Sequence, residues 1–147
     1  LDFIIAPVGG GGLLAGTALS NHYFGQGSKL IAAEPKNADD AVRSFHAGHI
    51  IPSINPNTIA DGLLTSVGER NFPIIQQYVE DILTTEEETI KKAMRLIWER
   101  MKIIVEPSAA VPLAMVMENH DKFRGKKLAL ILSGGNIDLS SIQEILF

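Results

Sequence analysis

Residues 3–19 read FIIAPVGGGGLLAGTAL, and this stretch decides the fold. An apolar, β-branched-rich run stops at four consecutive glycines, and a helix-forming run starts immediately after them. The order is strand, glycine loop, helix N-terminus, which presents backbone N–H groups to an anion, most often a phosphate. Glycine suits such a loop because a side chain blocks close approach of the backbone and forbids some of its dihedral angles. A tight strand-to-helix turn that binds nothing is the plainer alternative, but four glycines cost chain entropy without adding packing.

Working outward, Phe3–Val8 is too apolar for an exposed alternating strand and suits one covered on both faces. Leu13–Phe24 reads as a crossover helix and Leu30–Ala33 as the next strand, so residues 3–33 form one βαβ unit. Glu34-Pro35 closes that strand, and Asn37–Asp40 opens a short helix through Ala47 that stops at Gly48. Residues 49–65 lack periodicity and read as loop with at most one turn of helix, with a short helix over Asn71–Tyr78 and a short strand at Asp81–Leu83 to follow. Thr85–Glu88 has the form of a capping box ahead of the clearest helix. There Ile90, Ala93, Met94, Ile97, Trp98 and Met101 share one apolar face, which is core packing. Glu106-Pro107-Ser108 starts a further helix through about Glu118, with Pro112 near its first turn or kinking it. Leu128–Leu132 reads as a fully buried strand, Ser133–Asn136 as a second glycine-rich loop, and Leu139–Phe147 as helical. Strands alternating with helices predict a three-layer α/β/α arrangement around a mostly parallel sheet, with residues 1–147 as a single domain.

The totals fit this reading. With 147 residues, 46% apolar and 20% charged, the chain is long enough to bury a core of its own. A formal charge of −4 argues against nucleic acid as a partner. No apolar run approaches membrane-spanning length. The absence of cysteine excludes disulfides and thiolate metal sites and fits a cytoplasmic protein. A chain that begins Leu1-Asp2 and enters a strand at Phe3 is expected to be a piece of a larger protein.

In parallel sheets ligands sit beyond the carboxyl ends of the strands. Gly9–Gly12, Glu34 and Ser133–Asn136 each follow a strand, so all belong to the same edge. Two readings compete for Glu34. Gly10-x-Gly12-x-x-Ala15 matches the relaxed dinucleotide fingerprint, and Glu34 falls about 20 residues beyond it, where a ribose-binding acid belongs. Alternatively Glu34, Asp39 and Asp40, three carboxylates around one turn, offer oxygen ligands to a hard cation; as a solvated helix start they would only favour the helix dipole. No Walker lysine and no nucleophile elbow occurs, and His46 and His49 lack a third ligand nearby.

PVGGGGLLAG, AAEPKNADD, TIADG, WERMKIIVEPSAA and LSGGN, in that order, resemble the serine racemases and the closely similar serine/threonine dehydratases. These are fold-type-II pyridoxal phosphate enzymes, and the resemblance covers essentially the whole chain while corresponding to their C-terminal part. It implies that backbone N–H groups of Gly9, Gly10, Gly11, Gly12 and Leu13 hold the cofactor phosphate, that Ser133 faces the pyridine nitrogen, and that Gly62 and Glu106 border the cofactor. It also implies a site for a divalent cation (magnesium, manganese or calcium) at Glu34, the Ala38 carbonyl and Asp40. Lys102 and Asn136 match positions of a nucleotide effector site at the dimer interface of serine racemases.

A hydroxyl opposite the ring nitrogen stabilises a pyridinium less than a carboxylate does, which leaves the ring a weaker electron sink. Loss of the α-proton coupled to departure of a β-hydroxyl remains feasible, as does racemisation; both suit β-hydroxy amino acids as substrates. Such enzymes also need a cofactor-binding lysine and, on the opposite ring face, a serine. The family carries both in its N-terminal part, and no lysine here matches that motif. The chain alone is therefore expected to be inactive, and the whole enzyme to be a homodimer; the alternative is a non-catalytic, truncated phosphate-binding module that acts only through a partner chain.

Overall fold

The computed structural model describes residues 1–143. Strands β1 (Phe3–Pro7), β2 (Lys29–Pro35), β3 (Asp81–Thr85) and β4 (Leu128–Leu130) form one sheet in the order β3-β2-β1-β4. All its pairings are parallel, with Ile5 opposite Ile31 on one side and Leu130 on the other. Helix α1 (Gly12–Phe24) connects β1 to β2; α2 (Asp40–Ala47) and α3 (Phe72–Tyr78) lie between β2 and β3. Helices α4 (Glu87–Met101), α5 (Pro107–Glu118) and the short α6 (His120–Phe123) lead to β4.

Alternation along the strands sends successive side chains to opposite faces and makes two cores. On one face Ile5, Ile31 and Ala33 pack with Ile90, Met94 and Ile97 of α4 and Ala109, Ala110 and Met115 of α5. On the other, Ala6, Leu30, Ala32 and Ile82 pack with Leu14, Ala15 and Ala18 of α1, Ala41 of α2 and Ile75 of α3. Each large aliphatic side chain buried this way contributes about 1.5–3 kcal/mol. The expected three layers are present, and the βαβ unit begins where the glycines place it.

Several local expectations change. β2 runs two residues beyond Ala33, so Glu34 lies within the strand and not after it. β3 likewise extends to Thr85, which pairs with Pro35, so no capping box forms. The N-cap of α4 is Glu86, without a side-chain cap bond, and the Thr85 hydroxyl is buried without a partner among the described residues. Met101 is 57% exposed because α4 ends at Lys102, which takes a left-handed conformation (φ 59°) and turns the chain away. Pro112 sits in the second turn of α5, and the helix continues past it to Glu118. β4 is half-buried along its length, since it is the edge strand, paired on one side only among the described residues. Of the tail expected to be helical, Leu139–Ser141 forms a 3-10 turn and residues 144–147 lie outside the described residues.

Candidate functional site

The carboxyl ends of β1 and β4 meet over a cavity of about 210 Å³. Its floor is the glycine loop, Gly9 to Leu14, and its walls are Gly62, Leu63, Glu106, Ser108 and Ser133. Gly11 is the turning point: it is left-handed (φ 82°), and it is the N-cap of α1. A Cβ there would lie 2.9 Å from Ile75 Cδ1 and 3.2 Å from Asn71 Cβ, so both conformation and space demand glycine. At Gly9 the restriction is steric, with a Cβ only 3.0 Å from Leu63 Cα.

Ala15 N–H donates to the Gly11 carbonyl, the first bond of the helix. Among the described residues, none of the N–H groups from Gly9 to Leu13 donates to a protein acceptor. Gly9 and Gly11 are nevertheless buried. Buried N–H groups nearly always have partners, so this row of donors, at the positive end of a helix dipole and lining a cavity, calls for an anion.

The walls are braced by hydrogen bonds. Gly62 N–H donates to Ser108 Oγ (3.0 Å) at the start of α5, and Ile59 N–H donates to Glu87 Oε2 (2.9 Å) at the start of α4, which fixes the TIADG segment. Glu106 Oε2 accepts from Asn136 N–H at 2.8 Å, while Gly134 (φ 109°) leaves no room for a Cβ beside the Glu106 carboxylate. Trp98 Nε1–H donates to the Val105 carbonyl at 3.0 Å and holds the segment leading to Glu106. Ser108 and Asn71 are contributors that the motifs alone did not single out. Ser108 stands in the quoted WERMKIIVEPSAA motif but reads there as helix start, and Asn71 reads as an ordinary helix beginning.

Glu34 does not join this cavity. It is 1% exposed, and its Oε1 and Oε2 accept from the N–H groups of Ala41 (2.8 Å) and Val42 (2.9 Å) in the first turn of α2. With both oxygens engaged there, it is not placed as a ribose-binding acid beside the glycine loop, which removes the support for a dinucleotide site. Burial pushes the Glu34 carboxyl up to about 8 against the lowering effect of the Val42 and Ala41 bonds, and the like charges of Asp40 and Asp39 add to the rise. Asp40 is also buried, and its carboxyl is raised by burial; Oδ2 accepts from Val67 N–H at 3.3 Å. Among the described residues no group of three or more acidic, histidine or cysteine side chains is arranged to hold a metal ion. Lys102 and Asn136 lie on neighbouring segments, since Glu106 N–H donates to the Gly134 carbonyl, but no hydrogen bond joins the two among the described residues.

A family model described as pyridoxal-phosphate dependent enzyme matches residues 1–134. The chain is 51% identical over 150 aligned residues to serine racemase of Dictyostelium discoideum, covering 99% of this chain and 46% of that protein. It is 44% identical to a beta-hydroxyaspartate dehydratase of Paracoccus denitrificans, covering 97% of this chain and 45% of that one. Among solved structures, maize serine racemase superposes with a TM-score of 0.89 at 38% identity, over 97% of this chain and 45% of the other. The chain thus spans about half the length of the curated relatives it matches. A cradle of unpaired N–H groups fits the phosphate that such proteins share, and with the family model matching nearly its whole length, the chain belongs to the pyridoxal-phosphate dependent enzymes.

Proposed function

We propose that this chain is the C-terminal part of a pyridoxal phosphate enzyme that acts on β-hydroxy amino acids. The whole enzyme converts serine, threonine or 3-hydroxyaspartate to a 2-oxo acid and ammonia, or racemises serine. The observation that carries this reading is the row of unpaired N–H donors from Gly9 to Leu13. Gly62, Glu106 and Ser133 line the same cavity as these donors; the donors would hold the cofactor phosphate, Gly62 and Glu106 would border the ring, and Ser133 would face its nitrogen. When bound, the cofactor stabilises negative charge at the substrate α-carbon. The chain's own part is to anchor, orient and brace: Ser108 and Glu87 hold the TIADG wall, and Glu106 holds the Ser133–Asn136 loop.

No lysine lines the cavity among the described residues. The lysine that carries the cofactor and the serine opposite it come from the remaining half of the enzyme, in line with relatives about twice as long. A groove of about 690 Å³ between α1 and the β4 edge, lined by Ile4, Leu13, Thr17, Phe24 and Ile131, gives that half a place to pack. Glu34, the Ala38 carbonyl and Asp40 bind a divalent cation: the donors are all oxygen, as hard cations require, and a cation there would draw the proton off the Glu34 carboxyl that burial otherwise keeps neutral. Lys102 and Asn136 contribute to a nucleotide effector site, and the enzyme is a cytoplasmic homodimer. Among the described residues no helix is long and apolar enough to cross a membrane.

The test is reconstitution. The chain, supplied with the N-terminal half of a close relative and pyridoxal phosphate, is expected to release pyruvate from serine; the chain alone is expected to release none. If the reconstituted pair yields neither a 2-oxo acid nor D-serine from any of the three substrates, the enzymatic reading is wrong.

A further inference from the structure

The glycine loop is held from behind by a segment that does not line the cavity. Gly68 N–H (3.0 Å) and Asn71 Nδ2–H (2.7 Å) both donate to the Gly10 carbonyl oxygen. The Asn71 amide is spent on this bond although Asn71 is the N-cap of α3, where asparagine ordinarily caps its own helix; here it makes no cap bond. Pro73 in the first turn of α3 has no N–H, which leaves one donor fewer there for an Asn71 cap. The turn carrying Asn71 is itself fixed, since the N–H groups of Asn71 and Phe72 both donate to the Gly68 carbonyl.

The consequence for the loop is geometric. In a trans peptide the C=O and the following N–H point in opposite directions, and no peptide among the described residues is cis. Fixing the Gly10 carbonyl toward residues 68–71 therefore turns the Gly11 N–H away from them, to the side where Gly9–Leu14 line the cavity. Gly11 in the left-handed region then continues the concave run of N–H groups into α1. Without the amide, the Gly10–Gly11 peptide keeps a single bond to hold its orientation, and glycine on both sides gives it little resistance to rotation.

We propose that Asn71 is a positioning residue for phosphate: it clamps the Gly10–Gly11 peptide so that the Gly11 N–H faces the bound phosphate group. The proposal rests on the reading of the glycine loop as a phosphate cradle. It is tested in the full-length protein containing this chain by comparing the affinity of the cofactor-free form for pyridoxal phosphate and for pyridoxal, which lacks the phosphate. In Asn71→Ala, affinity for pyridoxal phosphate is expected to fall about tenfold or more while that for pyridoxal stays unchanged. Asn71→Asp, nearly the same shape but with an acceptor in place of the donor, is expected to do the same and carries the test if the alanine variant does not fold. A merely structural role would lower both affinities together, and that result, or wild-type affinity in both variants, overturns the clamp. If the unaltered protein itself fails to prefer pyridoxal phosphate over pyridoxal, the phosphate cradle is wrong and the clamp falls with it.

Discussion

Helices α1 and α2 begin beyond the carboxyl ends of neighbouring parallel strands, yet their N-termini have opposite fates. At α1 the N–H groups from Gly9 to Leu13 are left without protein acceptors among the described residues and line a cavity. At α2 the first-turn N–H groups of Ala41 and Val42 are taken by Glu34, a carboxylate from within β2. A helix N-terminus becomes an anion site only where the chain declines to fill it, and the glycines achieve that by removing every side chain that could. The result is two electrostatic environments side by side: one short of acceptors, the other a pocket of buried acids short of positive charge.

The largest effect should come from destroying the open N-terminus. Gly11→Ala puts a Cβ into Ile75 and Asn71 at a left-handed position, and is expected to weaken pyridoxal phosphate binding by about a hundredfold or more by fluorescence titration. Retained affinity there would erase the contrast between the two helices.

Opening the filled N-terminus should act on stability instead. Glu34→Ala leaves the Ala41 and Val42 N–H groups unpaired, at about 1–3 kcal/mol for each such buried group. Urea denaturation near pH 4.5, where the Glu34 carboxyl imposes no ionisation penalty on folding, should show the loss, with cofactor affinity little changed. A large loss of affinity would mean that the two sites are coupled.

The acid pocket also predicts a pH dependence. Below its ordinary value of 4.5 the Glu34 carboxyl is protonated whether the chain is folded or not, and it imposes no penalty on folding. Between that value and about 8 the unfolded chain ionises while the folded chain keeps the proton, so stability falls as pH rises, and the loss is complete above about 8. The slope from this one group is at most about 1.4 kcal/mol per pH unit. Thermal melts from about pH 5 to 9 in a chelator should show the decline, and added magnesium, manganese or calcium should flatten it. A profile indifferent to all these cations would speak against the metal site.

The smallest effect should come from the cavity wall. Ser108→Ala removes the acceptor of Gly62 N–H and should cost about 1 kcal/mol of stability with a few-fold loss of cofactor affinity, read by the same titration.

Much of this was legible in the sequence because it depends on local chemistry. The four glycines fixed the strand-loop-helix transition, and the apolar runs around Ile5 and Ile31 required strands covered on both faces. The boundaries at Glu34 and Thr85 were not legible, since pairing with a neighbouring strand lengthened both β2 and β3 beyond their apolar runs. The sheet also changed the meaning of two segments. Thr85 became a strand residue and not a helix cap, and Leu128–Leu130 became a half-buried edge.

By itself, then, the sequence determined the parallel α/β architecture and the presence of an anion-seeking loop. Dihedral freedom, hydrophobic periodicity and strand composition are properties of residues close together in the chain. Tertiary structure alone decided that Glu34 fills its neighbouring helix instead of the cavity, that Ser108 receives Gly62, and that Asn71 holds Gly10. Those bonds depend on partners that come within reach only once the sheet has brought the loops to a common edge.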